Sequence, residues 1–304
     1  MSDTILSRLR APQGVVDAVL DTDTFNEIDD QFALSYMLRS TERINTRAIY
    51  AAPFFNENSS SPEDGMLKSY DEIKTLLKLA NREDLIPSAF EGSRRYLPDE
   101  KTPVDSPAAR DLAARAAEYS PEHPLYVVGI GAITNVASAL LLNPAIAENI
   151  VVVWLGGHSL EWPDTNEFNM MQDVAAARVL FASGAAIVQL PCMGVVDRFT
   201  LTEPELHYWL LGKSALCDHL ANATIEAAHR YAKGKPWSRV IWDVTAVSWL
   251  LNDNDRFMNS RVIPAPIPQY DHHYSLDPRR APLRYVWNIK RDALMADLIA
   301  KLTK

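Results

Sequence analysis

Cysteine is nearly absent from this chain, with only Cys192 and Cys217 among 304 residues. Two thiols give no disulfide framework and suit a reducing cytoplasm, so the fold must rest on its core. Long apolar runs are missing as well. Nothing approaches the ~20 residues a bilayer-spanning helix needs, and residues 1–10 lack the uninterrupted apolar segment of a secretory leader. Excess positive charge is also lacking. A formal net charge of -9 disfavours nonspecific affinity for nucleic acid or an anionic membrane, whereas a neutral or cationic ligand fits. No Pro/Gly/Ser-rich linker and no repeated motif divides the sequence, and 47% apolar residues can bury one large core. The expectation is a single domain over residues 1–304, with residues 58–65 as a polar surface loop.

Short β-branched runs alternate with helical patterns, which predicts a largely parallel, Rossmann-like central sheet flanked by helices. A strand over about residues 15–20 leads into an acidic loop and then a helix over about 28–39, with apolar Ile28, Phe32, Leu34, Met37 and Leu38. A second strand over about 47–51 runs toward Asn56. Strands over 125–128 and 150–155 exit into Gly129-Ile130-Gly131-Ala132-Ile133-Thr134-Asn135 and into Gly156-Gly157-His158, the latter followed by Glu167-Phe168-Asn169. Each polar cluster therefore falls past the carboxyl end of a strand, where open α/β sheets hold their ligands.

The acidic loop carries Asp21, Asp23, Glu27, Asp29 and Asp30. Carboxylates this crowded need a cation, shared protons or full hydration. Helix capping, with Asn26 as cap and Asp29 three residues later, accounts for Asp29 alone. Oxygen donors without nearby His or Cys favour calcium or magnesium over zinc. An EF-hand counted from Asp21 fails, because Asn26 and Phe32 occupy its sixth and twelfth places. The aspartyl-phosphate pattern Asp-x-Asp-x-Thr fails at Phe25. The Gly129-Ile130-Gly131 run misses a dinucleotide fingerprint, since Thr134 stands where the third glycine belongs. Thr134 and Asn135 read as a helix N-cap, a role compatible with a Thr134 carbonyl facing a metal.

Taken together, these residues resemble the inosine-uridine-type nucleoside hydrolase family, from about Val15 onward. The resemblance implies a Ca2+ ion held by Asp23, Asp30, the Thr134 carbonyl and Asp243, with Asp23 also the catalytic general base. It further implies ribose recognition by Asp29, Asn56, Glu167 and Asn169, with Leu155 standing where many members place Met before the Gly-Gly pair. The implied activity is hydrolysis of the N-glycosidic bond of ribonucleosides, by a cytoplasmic homodimer or homotetramer of nucleoside salvage.

Two departures mark the chain. Five residues separate Asp23 from Asp29 where three are common, so ligand geometry survives only if the extra pair bulges outward. Trp242 stands before Asp243 where many members have the leaving-group His. Its indole is similar to that of the purine-preferring branch and implies a purine lean, with Phe90 or Tyr96 as the candidates for a second stacking ring. The rivals are a non-catalytic ribosyl-ligand binding protein and a metal-dependent phosphatase. His272 and His273 read as surface residues of a strand, His229 and Tyr231 as possible neighbours of the base on a helix, and Trp209, Trp249 and Trp287 as core.

Overall fold

The computed structural model describes residues 3–304. Its strands are β1 (Val16–Thr22), β2 (Ile44–Ala51), β3 (Ala89–Phe90), β4 (Leu125–Gly129), β5 (Ile150–Leu155), β6 (Ala186–Leu190), β7 (Thr200–Thr202), β8 (Ser238–Val240), β9 (Met258–Pro264), β10 (Ile267–Pro268), β11 (Tyr274–Ser275) and β12 (Pro282–Ile289). Eight of them form one sheet in the order β3-β2-β1-β4-β5-β6-β12-β9. Every pairing in it is parallel except β12 with β9. The pairs β7/β8 and β10/β11 are small antiparallel additions.

The central strands β4 and β5 are near-continuous apolar runs because both faces are covered. In β5 all six residues are buried. Val151, Val153 and Leu155 feed the core shared with the helices Asp29–Leu38, Val244–Trp249 and Arg291–Leu302. Ile150, Val152 and Trp154 feed the opposite core, built with Pro107–Ala116, Thr134–Leu142 and Val174–Ala182. The helix Asp29–Leu38 packs against Val244–Trp249 and Arg291–Leu302 and is buried at all of its 10 positions. Such a helix needs no polar stripe. Chain order reverses at β1, with β2 on one side and β4 on the other, so a crevice opens at their carboxyl ends.

Several local expectations are corrected. The helix after the acidic loop starts at Asp29, with Ile28 at its N-cap and no side-chain cap. Asn26 cannot serve, because its backbone N–H closes a turn onto the Asp23 carbonyl at 2.7 Å and its side chain accepts from Asn56 Nδ2. Thr134 is already helical, behind an Ile133 N-cap, and its hydroxyl donates to Asp173 at 2.7 Å. Within residues 58–65 a helix begins at Pro62, capped by the Ser61 side chain. Trp249 is core, but Trp209 and Trp287 are 46% and 48% exposed. A register irregularity between Val286 and Asn288 turns Trp287 outward, and Trp209 ends a short surface helix. His272 and His273 lie in the turn between β10 and β11, not on a strand.

Candidate active site

A cavity of about 320 Å³ opens at the carboxyl ends of the strands. Eight of the sequence-derived residues line it: Asp29, Asp30, Asn56, Leu155, Glu167, Asn169, Trp242 and Asp243. Asp23 and Thr134 are fully buried and stand outside the lining. Asp23 packs at the switch between β1 and β4, where a Cβ on Gly131 would come within 3.0 Å of its Oδ1. The absent Cβ makes room for the carboxylate.

Among the described residues, Asp29, Asp30 and Asp243 bring carboxylate oxygens within 4.8 Å of one another, all three buried. This converging trio contains Asp29 where Asp23 was expected. Burial, then the charges of Asp30 and Asp29, pushes Asp23 well above the ordinary carboxylate range. Burial likewise raises Asp29 to about 8 and Asp30 to about 6, and it holds Asp243 well up, helped by the charges of Asp29, Asp30 and Asp23. Neither oxygen of Asp23 has a hydrogen-bond partner among the described residues. Unpaired buried acceptors of this kind are costly, and an oxygen-only donor set beside them fits a hard divalent cation.

Between Asp23 and Asp29 only Phe25 and Glu27 are exposed, while Thr24, Asn26 and Ile28 stay buried. Glu27, itself part of the cavity lining, pairs with Arg239 of β8, which ties the acidic loop to the β7/β8 pair.

The neighbouring polar residues are held by the backbone. Glu167 caps the helix Phe168–Gln172: its Oε1 accepts from Asn169 N at 2.9 Å, and its Oε2 from Gly157 N at 2.8 Å and Met170 N at 2.9 Å. These three backbone donors leave the carboxylate little lone-pair capacity. Asn169 gives its amide hydrogens to the carbonyls of Ile130 and Leu155, at 3.1 and 3.0 Å, so its oxygen is what remains for a ligand. Asn56 is tied to Asn26 and to the Asn58 backbone.

Sequence reasoning assigned no role to His158, Cys192, Met193 or Phe168, all of which line the cavity, nor to Arg239. Asn135 is also a structural centre of the site. It donates to Asp21 Oδ1 at 2.8 Å and to the Ala51 carbonyl at 3.1 Å, and accepts from Ser93 N at 2.7 Å. Its position just past β4, among the other strand-end polar groups, was the available signal. Neither Phe90 nor Tyr96 reaches the cavity: Phe90 packs on Tyr50, and Tyr96 hydrogen-bonds Gln172. Phe168 is the second aromatic ring in the wall.

Three solved structures share this architecture. A plant nucleoside hydrolase, PpNRh1, is 20% identical with a TM-score of 0.75, over 95% of this chain and 99% of its own. A purine-preferring ribonucleoside hydrolase from Gardnerella vaginalis is 18% identical with a TM-score of 0.73, over 94% and 98%. An inosine-guanosine nucleoside hydrolase is 15% identical with a TM-score of 0.73, again over 94% and 98%. Identities this low speak to the fold. No curated protein matches the sequence. The sequence profile of the inosine-uridine preferring nucleoside hydrolases does match, over residues 18–273, and the chain belongs to that family of N-glycosyl hydrolases.

Proposed function

We propose that the chain is a calcium-dependent ribonucleoside hydrolase that releases ribose and free base, with a lean toward purines. The observation that carries this reading is the pair of buried, unpartnered Asp23 oxygens beside the Asp29–Asp30–Asp243 cluster. A calcium ion held by Asp23, Asp30, Asp243 and the Thr134 carbonyl would offset these charges and act as a Lewis acid toward water and the ribose diol.

Asp23 then takes the proton of the attacking water, a role its two uncommitted oxygens permit. Asp29 and Asn169 orient the ribose hydroxyls, which lowers the entropic part of the barrier. Asn56 shapes the sugar end from the loop after β2. Glu167 contributes by fixing the backbone of Gly157, Asn169 and Met170, since its carboxylate is already engaged there. The buried anionic wall stabilises the oxocarbenium-like sugar as the glycosidic bond lengthens. Trp242, half-buried at the cavity, offers its indole face to the base, and Leu155 closes the floor. A cytoplasmic homodimer or homotetramer completes the reading. Among the described residues no helix is long and apolar enough to cross a membrane.

The test is incubation of calcium-loaded protein with a nucleoside panel, assaying reducing sugar and phosphate together. Ribose release without phosphate is expected. Tight nucleoside binding with no sugar released would leave only a binding protein.

A further inference from the structure

Cleavage of a nucleoside leaves an electron pair on the departing base, and a site that accelerates it needs a hydrogen-bond donor at that end. With the ribose at the carboxylates, the base is left the part of the wall that includes His158, Asn166, Phe168, Met193 and Trp242. Among the described residues no lysine or arginine lines the cavity. Both amide hydrogens of Asn169 go to backbone carbonyls; Asn26 and Asn56 bond each other beside the acidic loop, at the sugar end; and Asn166 is exposed, whereas His158 is buried.

His158 is held for a purpose its packing does not explain. Its Nδ1 accepts from Met193 N at 3.3 Å, which puts the ring proton on Nε2. No hydrogen bond among the described residues takes up that proton. The two loops that carry it are clamped by Cys192 N to Gly157 O at 2.8 Å and Ser159 N to Met193 O at 3.0 Å. Gly157 turns the chain with φ +76, where a Cβ would lie 2.1 Å from Tyr274 Oη, so the turn into His158 admits only glycine. Trp162 meets the ring edge-on at 5.8 Å between centroids. The ring is thus fixed in one tautomer, 8% exposed, in a residue of the cavity wall whose donor nitrogen has no partner among the described residues.

We propose that His158 donates its Nε2–H hydrogen bond to the departing nucleobase, the leaving-group role for which Trp242 has no titratable group. This rests on the hydrolase reading above. Burial holds His158 below its ordinary value, so at neutral pH it is a neutral donor that keeps its proton. The water oxygen bonds to C1′, its proton goes to Asp23, the C1′–N electron pair leaves with the base, and the base anion is protonated by solvent.

The experiment compares inosine with p-nitrophenyl ribofuranoside, whose leaving anion is stable without a donor. For His158→Ala the turnover of inosine should fall about 10²-fold or more, the usual loss for one such donor, while that of the p-nitrophenyl riboside falls far less. His158→Gln, which keeps an N–H donor, should recover part of the inosine activity. A parallel fall for both substrates in both variants, or an undiminished rate for inosine, overturns the assignment and leaves His158 a loop clamp. Cleavage of neither substrate by the parent protein overturns the hydrolase reading itself, and this inference with it.

Discussion

At the scale of single residues, the site divides into groups that react and groups that hold. Asp23→Asn removes both the proton acceptor and a negative charge, and turnover should fall about 10²–10⁴-fold. Asn169→Ala removes one hydrogen bond to sugar and frees the Ile130 and Leu155 carbonyls, yet takes away no reacting group, so its turnover should fall far less. Equal turnover for Asp23→Asn and the parent protein would mean the base lies elsewhere. Trp242→Ala should lower the specificity constant for inosine more than that for uridine, by an amount corresponding to roughly 0.5–1.5 kcal/mol of ring stacking. An equal drop for both nucleosides would remove Trp242 from base selection. The carboxylates were legible in the sequence because crowded charge is a local signal. The engaged state of Glu167 was not: its three backbone donors come from the loops after β5 and from its own helix, and only folding brings them to one carboxylate.

At the scale of elements, the strand-loop-helix units could be read from periodicity because β4 and β5 are nearly unbroken runs of apolar residues. The helix after β1 was harder to delimit, as a segment buried on every side gives no polar face to mark its ends. What joins the units is less visible in sequence. Asn135 links the ends of β1 and β2 to the loop after β3 through three groups: the Asp21 carboxylate, the Ala51 carbonyl and Ser93 N. Asn135→Ala leaves a carbonyl and an N–H unpaired, each costing about 1–3 kcal/mol. Denaturant unfolding should therefore show a loss of at least about 2 kcal/mol, with the m-value unchanged. A variant as stable as the parent would mean that water replaces the amide without cost. The Glu27–Arg239 pair is different, being partly exposed, and its loss should move stability by less than about 1 kcal/mol.

At the scale of the whole molecule, the acidic cluster makes stability depend on pH and on cations. The folded chain alone holds Asp21 near 7, Asp29 near 8 and Asp30 near 6, against 3.8 for a free aspartate, chiefly through burial. Between about pH 4 and 8 the folded state therefore binds more protons than the unfolded state, so its stability must fall as pH rises through that range. In chelator-treated protein, Tm should decline from pH 5 to pH 8. Added calcium should raise Tm more at pH 8 than at pH 5, and should restore ribose release. A Tm in chelator that climbs with pH, or full activity in chelator, would remove the cation from the site.

The placement of β12 has a consequence for how the protein is made. This strand lies between β6 and β9, pairing Arg284 with Val188 and Tyr285 with both Gln189 and Arg261. The helix that follows it, Arg291–Leu302, seats Asp297 against the Tyr36 hydroxyl of the helix that starts with Asp29 and Asp30. During synthesis the sheet therefore waits, with the edge of β6 open to stray pairing, until residues more than ninety positions later leave the ribosome. A chain truncated before β12 should therefore aggregate on refolding more readily than the full-length protein, which turbidity would show.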